Sequence, residues 1–251
     1  MTALSTGNGT RFARQPIDGG GTPARSWLGW ERGIAELDLD DCPGLVLVAA
    51  HPDDETLGLG GTVARLCTRG VAVQVVTVTD GGAELPGLTT SERGRLEQAR
   101  RAEARTAARI LGARPPIFLG LPDGGVHAHV TRLTGLLVDL LAGYPPGIWC
   151  AATWRGDGHP DHEATGRAAV AAAGKTAAVL LEYPVWMWHW ARPGDSAVPW
   201  QCAARIPLDP AARRRKSRAI RAFVTQLHPP EPVLPPFVLR RLMAVGEVVF
   251  R

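Results

Sequence analysis

The sequence predicts an α/β fold: a mostly parallel sheet with helices on both faces, followed by a small C-terminal extension. Three observations carry that expectation. Residues 45–50 (LVLVAA) and 148–152 (IWCAA) are continuous apolar runs without the alternation of a strand that faces water, as in a parallel sheet covered on both sides. Segments of helical pattern lie between such runs, one ending at Gly70 and another opening near Ser91. Strand and helix then keep alternating, an order that selects parallel pairing through right-handed crossovers. The expected architecture is Rossmann-like.

Residues 1–24 (MTALSTGNGTRFARQPIDGGGTPA) are rich in Gly, Thr and Pro and show no period, so a flexible leader is expected there, with one domain over 25–251. After the strand at 45–50, residues 57–70 read as a helix and 71–79 (VAVQVVTVT) as a β-branched strand, together a βαβ unit. The Arg/Ala/Glu stretch of 91–111 reads as a helix with Ser91 as its N-cap, followed by a strand at 117–119, a helix at 131–142 and the strand at 148–152. A helix at 161–173 and a strand at 178–182 continue the alternation. Beyond Pro184 the order weakens into the Trp-rich VWMWHWA, a basic helix at about 209–226, the Pro-rich HPPEPVLPP and a last apolar stretch. No internal repeat is found.

A chain of 251 residues with 45% hydrophobic and 21% charged residues is an ordinary globular composition, which excludes a fibrous or wholly disordered protein. The formal charge of +4 is a mild excess, carried almost wholly by arginine since only Lys175 and Lys216 are lysines. It does not call for nucleic acid, and no RNP-type or helix-turn-helix signature is found, so no nucleic-acid partner is expected. Cys42, Cys67, Cys150 and Cys202 are dispersed and form no C-x-x-C pair, which points to a reducing cytoplasm and away from a disulfide framework. No apolar span of 18 residues and no secretory pattern are found, so no membrane segment is expected.

In an open parallel sheet, ligands bind in the crevice at the carboxyl ends of the strands. Two polar clusters stand at such ends. His51-Pro52-Asp53-Asp54-Glu55 follows the first strand, and the loop TWRGDG after the strand at 148–152 leads into His159-Pro160-Asp161-His162. His51 and His159 are 108 positions apart, yet one sheet can bring them together. A catalytic zinc takes three protein ligands and keeps a fourth position for water, and mixtures of His and Asp suit it without cysteine. With a helical turn at each cluster, His51 and Asp54 face the same way, as do His159 and His162, while Asp53 is turned aside toward water. The spacing alone does not choose between His159 and His162. The bland reading, with Asp53, Asp54 and Asp161 as helix caps and the histidines as surface or satisfied core residues, accounts for either cluster singly better than for both at equivalent strand ends.

The pair AAHPDDE and GHPDH, each preceded by a strand, resembles the PIG-L or LmbE-like zinc-dependent N-acetylglucosaminyl deacetylases, over roughly residues 44–251. The resemblance implies that His51, Asp54 and His162 hold one Zn²⁺ per chain, with Fe²⁺ the other candidate. Asp53 is then the general base, His159 a second acid/base group, and Asp161 orients a nearby imidazole. It also implies that Arg93 and Asp123 contact the sugar. Some relatives carry Tyr two residues before the first His of HPDH, where this chain has Asp157. An ionised Asp donates no hydrogen bond to an oxyanion. The chemistry asks for these residue types, because an amide is a poor electrophile that needs a Lewis acid, a base for water and a proton for the departing amine.

Trp186, Trp188 and Trp190 alternate, so an extended segment would gather them on one face, with Trp188 as the centre of a platform for substrate. The run Arg213, Arg214, Arg215, Lys216, Arg218 and Arg221 reads as a solvated helix face. His127, His129, His189 and His228 take no role. The stretch Gly58-Leu59-Gly60-Gly61 is not a dinucleotide fingerprint. The reading is a cytoplasmic, metal-dependent hydrolase that removes an N-acetyl or N-acyl group from a 2-acetamido sugar in a small molecule or natural product. An amidase for another amide such as a thiol conjugate, and a non-catalytic Rossmann-like binding module, are the alternatives. Assembly into a homo-oligomer is left open.

Overall fold

A computed structural model describes residues 8–83, 87–227 and 234–251. Among the described residues the strands are β1 Ala35–Glu36, β2 Leu45–Ala49, β3 Val73–Thr79, β4 Ile117–Leu121, β5 Trp149–Thr153, β6 Val179–Tyr183, β7 Ala203–Ile206 and β8 Glu247–Phe250. The helices are α1 Asn8–Ala13, α2 Ala24–Trp27, α3 Asp54–Thr68, α4 Thr90–Leu111, α5 Val130–Ala142, α6 Pro160–Ala173, α7 Met187–Trp190, α8 Pro210–Ile220, α9 Val224–Leu227 and α10 Pro236–Val245. The sheet has the order β1-β7-β8-β6-β5-β2-β3-β4. Neighbours from β4 to β6 are parallel, and β8 runs antiparallel to both β6 and β7. The mostly parallel α/β architecture is as the sequence predicts, and the C-terminal extension continues the same sheet.

Chain order runs outward from β2 to β3 and β4, then returns to β5 on the other side of β2 and on to β6. The direction of winding therefore reverses between β2 and β5, which is where an open α/β sheet leaves a crevice. β2 is buried along its whole length, which is why its sequence shows no alternation. Leu45 and Leu47 join one core with Leu57, Leu66 and Leu111, while Val46 and Val48 join a second with Leu133, Leu137 and Ala168 on the opposite face. Each of these Leu and Val side chains contributes about 1.5–3 kcal/mol on burial.

Several local expectations are corrected by packing. The helix expected at 57–70 begins at Asp54. The N-cap of α4 is Thr89, not Ser91, with a capping box to Glu92. The expected basic helix is divided into α8, capped by the Asp209 side chain, and α9. Residues 8–24, expected as part of a flexible leader, instead lie on the body: Arg11 pairs with Asp195 at 2.8 Å, and Thr22 N–H donates to His189 O at 2.8 Å. Their composition shows no period because distant elements, and not a local repeat, supply their partners. The Trp-rich segment is helical over Met187–Trp190, so its three indoles do not share a face.

Within α3 the backbone leaves helical geometry at Leu59, with φ −131° and ψ 19°. The Glu247 carboxylate from β8 accepts the N–H groups of Gly61 and Thr62, each at 2.7 Å. Gly58 is required by close approach, since a Cβ there would stand 2.2 Å from the Tyr183 ring. Lys216 is not part of the solvated face: it is buried, and its Nζ donates to Glu247 Oε1 at 2.8 Å. The neighbouring Arg213, Arg214, Arg215 and Arg218 are exposed. Glu247→Ala leaves Lys216 as an uncompensated buried charge and removes the acceptor at the kink, so urea unfolding should show a loss of about 3–5 kcal/mol. A loss below about 1 kcal/mol would show that Lys216 is solvated in the native state.

Candidate active site and metal centre

β2 and β5 are hydrogen-bonded neighbours, so their carboxyl ends lie about 5 Å apart and the 108-position gap between His51 and His159 vanishes in space. The first cluster is a strained turn. Asp53 has φ 121° and ψ −31°, a conformation that costs a non-glycine residue about 1–3 kcal/mol. Surrounding bonds hold it there: Asp53 N–H donates to Glu55 Oε2 at 3.1 Å, and His51 N–H to Asp54 Oδ2 at 2.8 Å. Asp53 occupies the N-cap position of α3, yet its side chain caps nothing. Its Oδ2 instead accepts from Gln226 Nε2 at 2.7 Å. In the second cluster His159 caps α6, accepting Asp161 N–H at Nδ1 over 3.3 Å. The Asp161 carboxylate turns away to the N–H groups of Gly124 and Val126.

His51, Asp54 and His162 converge. His51 Nδ1 lies 3.4 Å from Asp54 Oδ2 and 3.3 Å from His162 Nε2, and His162 Nε2 lies 3.2 Å from Asp54 Oδ2. A tetrahedral ion with bonds of about 2.0–2.1 Å places its donors about 3.3–3.4 Å apart, so this triangle is the right size for one face of its coordination shell. His159 offers a further nitrogen within 4.8 Å of those of His51 and His162. The donor set therefore fits a metal ion.

Each converging imidazole is braced from behind. His162 Nδ1–H donates to Asp157 Oδ2 at 2.8 Å, and both residues are completely buried. His51 Nε2 faces Asp123 Oδ1 at 3.1 Å and Asp161 Oδ2 at 3.3 Å. Carboxylates in this position fix the tautomer and orientation of a ligating histidine. Asp157 is thus not an oxyanion residue in the place of a tyrosine. It points inward, and it also accepts the N–H groups of Val185, Trp186 and Met187 at 2.9 Å each, tying α7 to His162.

Burial opposes charge on His162, but the Asp54 charge and the Asp157 hydrogen bond outweigh it and push its pKa up to about 9. His51 is held well above its ordinary value in the same way, burial being outweighed by hydrogen bonds to Asp123, Asp161 and Asp54. Asp54 is held well below the carboxylate range by the two imidazoles, against the effect of burial. Burial, then the charges of His162 and His51, push His159 down to about 3. Four carboxylates within 3.4 Å of two imidazoles leave the cluster short of positive charge even when both rings are protonated.

The cavity above this floor has a volume of about 320 Å³. Asp53, Asp123 and His159 line it. Arg93 does not line it; the arginine that does is Arg100, two turns along the same face of α4. Arg100 is 2% exposed and donates to Gly81 O at 2.5 Å. A sequence signal for it exists, because Arg100 interrupts the buried stripe of Ala104, Ala107 and Leu111. Trp188 is a core residue packed edge-on against Trp27 at 4.9 Å, and Trp186 is the member of the trio that reaches the cavity. Gln226, Phe12 and Ile17 also line the site without a motif to mark them. His127 and His129 lie in a 3₁₀ turn, and His228 is outside the described residues.

The PIG-L family, described as GlcNAc-PI de-N-acetylase, matches residues 46–173, which span β2 through α6 and both polar clusters. The chain belongs to the PIG-L family. A 1D-myo-inositol 2-acetamido-2-deoxy-alpha-D-glucopyranoside deacetylase of Mycobacterium sp. (strain KMS) is 37% identical over 155 residues, 52% of this chain and 50% of that protein. The chain thus spans about half the length of the curated relatives it matches first. Among solved structures, the N,N'-diacetylchitobiose deacetylase from Pyrococcus horikoshii superposes with a TM-score of 0.59 at 22% identity, covering 76% of this chain and 75% of that one. The zinc inhibited form of teicoplanin deacetylase Orf2 superposes at 0.58 and 20% identity, covering 72% and 84%. At these identities the likeness is one of fold. The PIG-L match leaves Phe12, Trp186 and Gln226 outside its bounds.

A metal ion needs both imidazoles neutral, so its binding displaces protons. In the cation-free protein the raised pKa of His162 contributes stability that is fully present below about 6.5 and lost as pH rises through about 9. Calorimetric titration with a divalent cation should therefore show apparent affinity rising between pH 6.5 and 9, by about tenfold per unit for each proton displaced. An affinity that is flat across that window would show that metal binding displaces no proton from these imidazoles there.

Proposed function

We propose that the chain is a zinc-dependent N-deacetylase that hydrolyses the N-acetyl group of a 2-acetamido sugar within a small molecule or natural product. The observation that carries this reading is the triangle of His51 Nδ1, Asp54 Oδ2 and His162 Nε2, with edges of 3.2–3.4 Å, at the floor of a cavity lined by Asp53 and His159. Two imidazoles and one carboxylate suit zinc, and ferrous iron accepts the same set. When bound, the cation supplies Lewis acidity, polarising the amide carbonyl and lowering the pKa of water toward neutrality.

The chain's own groups supply the rest. Asp53, held by Gln226 at Oδ2, takes the proton of the attacking water. The neutral His159 accepts at Nδ1 from its own helix, so its Nε2 carries the hydrogen and donates a hydrogen bond toward the developing oxyanion, while the proton that Asp53 takes from water passes to the departing amine. Asp157 and Asp161 keep the ligating imidazoles in register. Arg100 and Asp123 line the cavity as partners for sugar hydroxyls. Residues 25–251 act in this reading as one deacetylase domain. The name of the mycobacterial relative supports the substrate class, and the dispersed cysteines support a cytoplasmic site of action. No described helix is long and apolar enough to cross a membrane. A non-catalytic module is disfavoured because structural zinc sites are closed by four protein ligands, whereas among the described residues the converging triangle has three, beneath an open cavity.

Asp53→Asn should retain about one metal ion per chain by elemental analysis and lose about 10²–10⁴-fold in kcat for amine release. Retention of near-normal turnover would remove the base assignment. Gln226→Met keeps the bulk but removes the donor to Asp53, and a drop of about 10²-fold in kcat with little change in KM is expected. Chelation should abolish amine release and added divalent ion restore it; full activity of metal-free protein would overturn the metal mechanism.

A further inference from the structure

Two further cavities, of about 560 and 520 Å³, adjoin each other at Gly21 and Pro23 and share no lining residue with the catalytic cavity. Arg14 and Arg192 line the first, and Arg25, Arg240 and Arg241 line the second. Among the described residues no Asp or Glu lines either. The ion pairs of the described residues engage Arg11, Arg69, Arg101, Arg155, Arg167 and Arg205, and none of these five.

Arg14, Arg25, Arg192 and Arg240 are exposed, and by themselves they are a solvated surface. Arg241 differs, because it is 2% exposed. Its Nη1 donates to His189 Nδ1 at 2.9 Å and its Nη2 to Gly20 O, while its Nε has no hydrogen-bond partner among the described residues. Both acceptors are neutral, since His189 Nε2 carries a hydrogen that it donates to Gln15 O at 2.9 Å, and burial holds the pKa of His189 down. Burial likewise pushes the Arg241 guanidinium down to about 10, with no carboxylate beside it to oppose the shift. A buried charge is ordinarily paired within the fold. Here it stands at the wall of a cavity instead.

Three segments meet at this wall: residues 14–26, the turn after α7 at Arg192 and Pro193, and α10. Gly21, at φ 54°, permits the close approach, since a Cβ there would stand 2.5 Å from His189 Nδ1. We propose that the two cavities form a binding site for a small multivalent oxyanion, a phosphate ester or a polycarboxylate, that supplies the charge Arg241 lacks. The guanidinium fork matches either group with two parallel hydrogen bonds. Four more arginines at the rim favour a ligand with more than one negative charge. Phe237 is the one aromatic residue among those that line the two cavities, whereas a nucleic-acid strand is held by a succession of stacking rings. The proposal stands apart from the deacetylase reading. Its consequence for the catalytic cavity is that a bound anion steadies the segment that carries Phe12 and Ile17 to that cavity.

The test is calorimetric titration of the purified full chain with glycerol 3-phosphate, with tricarballylate, which lacks the chelating hydroxyl of citrate, and with glycerol as the uncharged control. At least one anion should bind at one site with a Kd below about 1 mM, and glycerol should not bind. Which anion binds tells a phosphate site from a carboxylate site. Added salt should weaken the binding, as screening requires. Arg14→Ser combined with Arg192→Ser, and separately Arg240→Ser, alter exposed side chains and should each weaken it at least about tenfold. Arg241→Met should abolish it. Asp54→Asn, which impairs the catalytic metal site, should leave it unchanged. Hydrogen exchange at Gly19–Thr22 should slow when the anion is bound. Failure of both anions to bind, or full affinity in the Arg14/Arg192 and Arg240 variants, would overturn the site. Loss of binding in Asp54→Asn would place the anion at the catalytic floor and overturn it equally, as would retention of a DNA oligonucleotide with no response to either small anion.

Discussion

Three donor atoms from two distant stretches of chain are held within 3.4 Å of one another at the floor of the cavity, and the surrounding structure is arranged to tolerate that crowding. Lone pairs packed this closely repel unless a proton or a cation stands between them. The sheet supplies the crowding, because β2 and β5 are adjacent at the point where the winding reverses. The carboxylates behind the rings supply the restraint. Asp157 ties His162 to the start of α7, and Asp161 ties His51 to the loop at Gly124 and Val126. The same bonds that orient the imidazoles also set the shape of the cavity.

The strain at Asp53 belongs to this arrangement. Its positive φ turns the side chain away from the helix it precedes and toward Gln226, so a carboxylate that would otherwise cap α3 faces the cavity. Gln226 sits on the short α9, which is held to α4 where Thr225 N–H and Oγ1 donate to the Glu103 carboxylate at 2.8 and 2.7 Å. Arg100, three residues before Glu103, reaches the cavity from the same helix. One long helix thereby positions both a cationic side chain and, through α9, the partner of the proposed base.

The parts of the chain beyond the family match shape the approach to the site more than its floor. The His/Asp clusters lie within β2 to α6, and the N-terminal segment, α7 and α9 add the rim. Such a division lets one reaction centre serve different substrates, because the floor performs the chemistry and the rim meets what the reacting group is attached to.

Uninterrupted apolar runs mark β2 and β5 already in the sequence, and the residues that follow them mark the polar clusters at their carboxyl ends, including the shared face of His51 and Asp54. Those features are local, since period and spacing act over a few residues. What the spacing left open between His159 and His162, which share one helix face, the structure separates by orientation: His162 Nε2 stands 3.3 Å from His51 Nδ1 and 3.2 Å from Asp54 Oδ2, whereas His159 Nδ1 is turned to the N–H of Asp161. It also decided that Asp157 braces His162, that Trp186 and not Trp188 meets the cavity, that Arg100 and not Arg93 lines it, and that Phe12 and Gln226 close it. Each of these depends on burial and on contact between residues far apart in the chain, and no local pattern encodes which distant surface a side chain will meet.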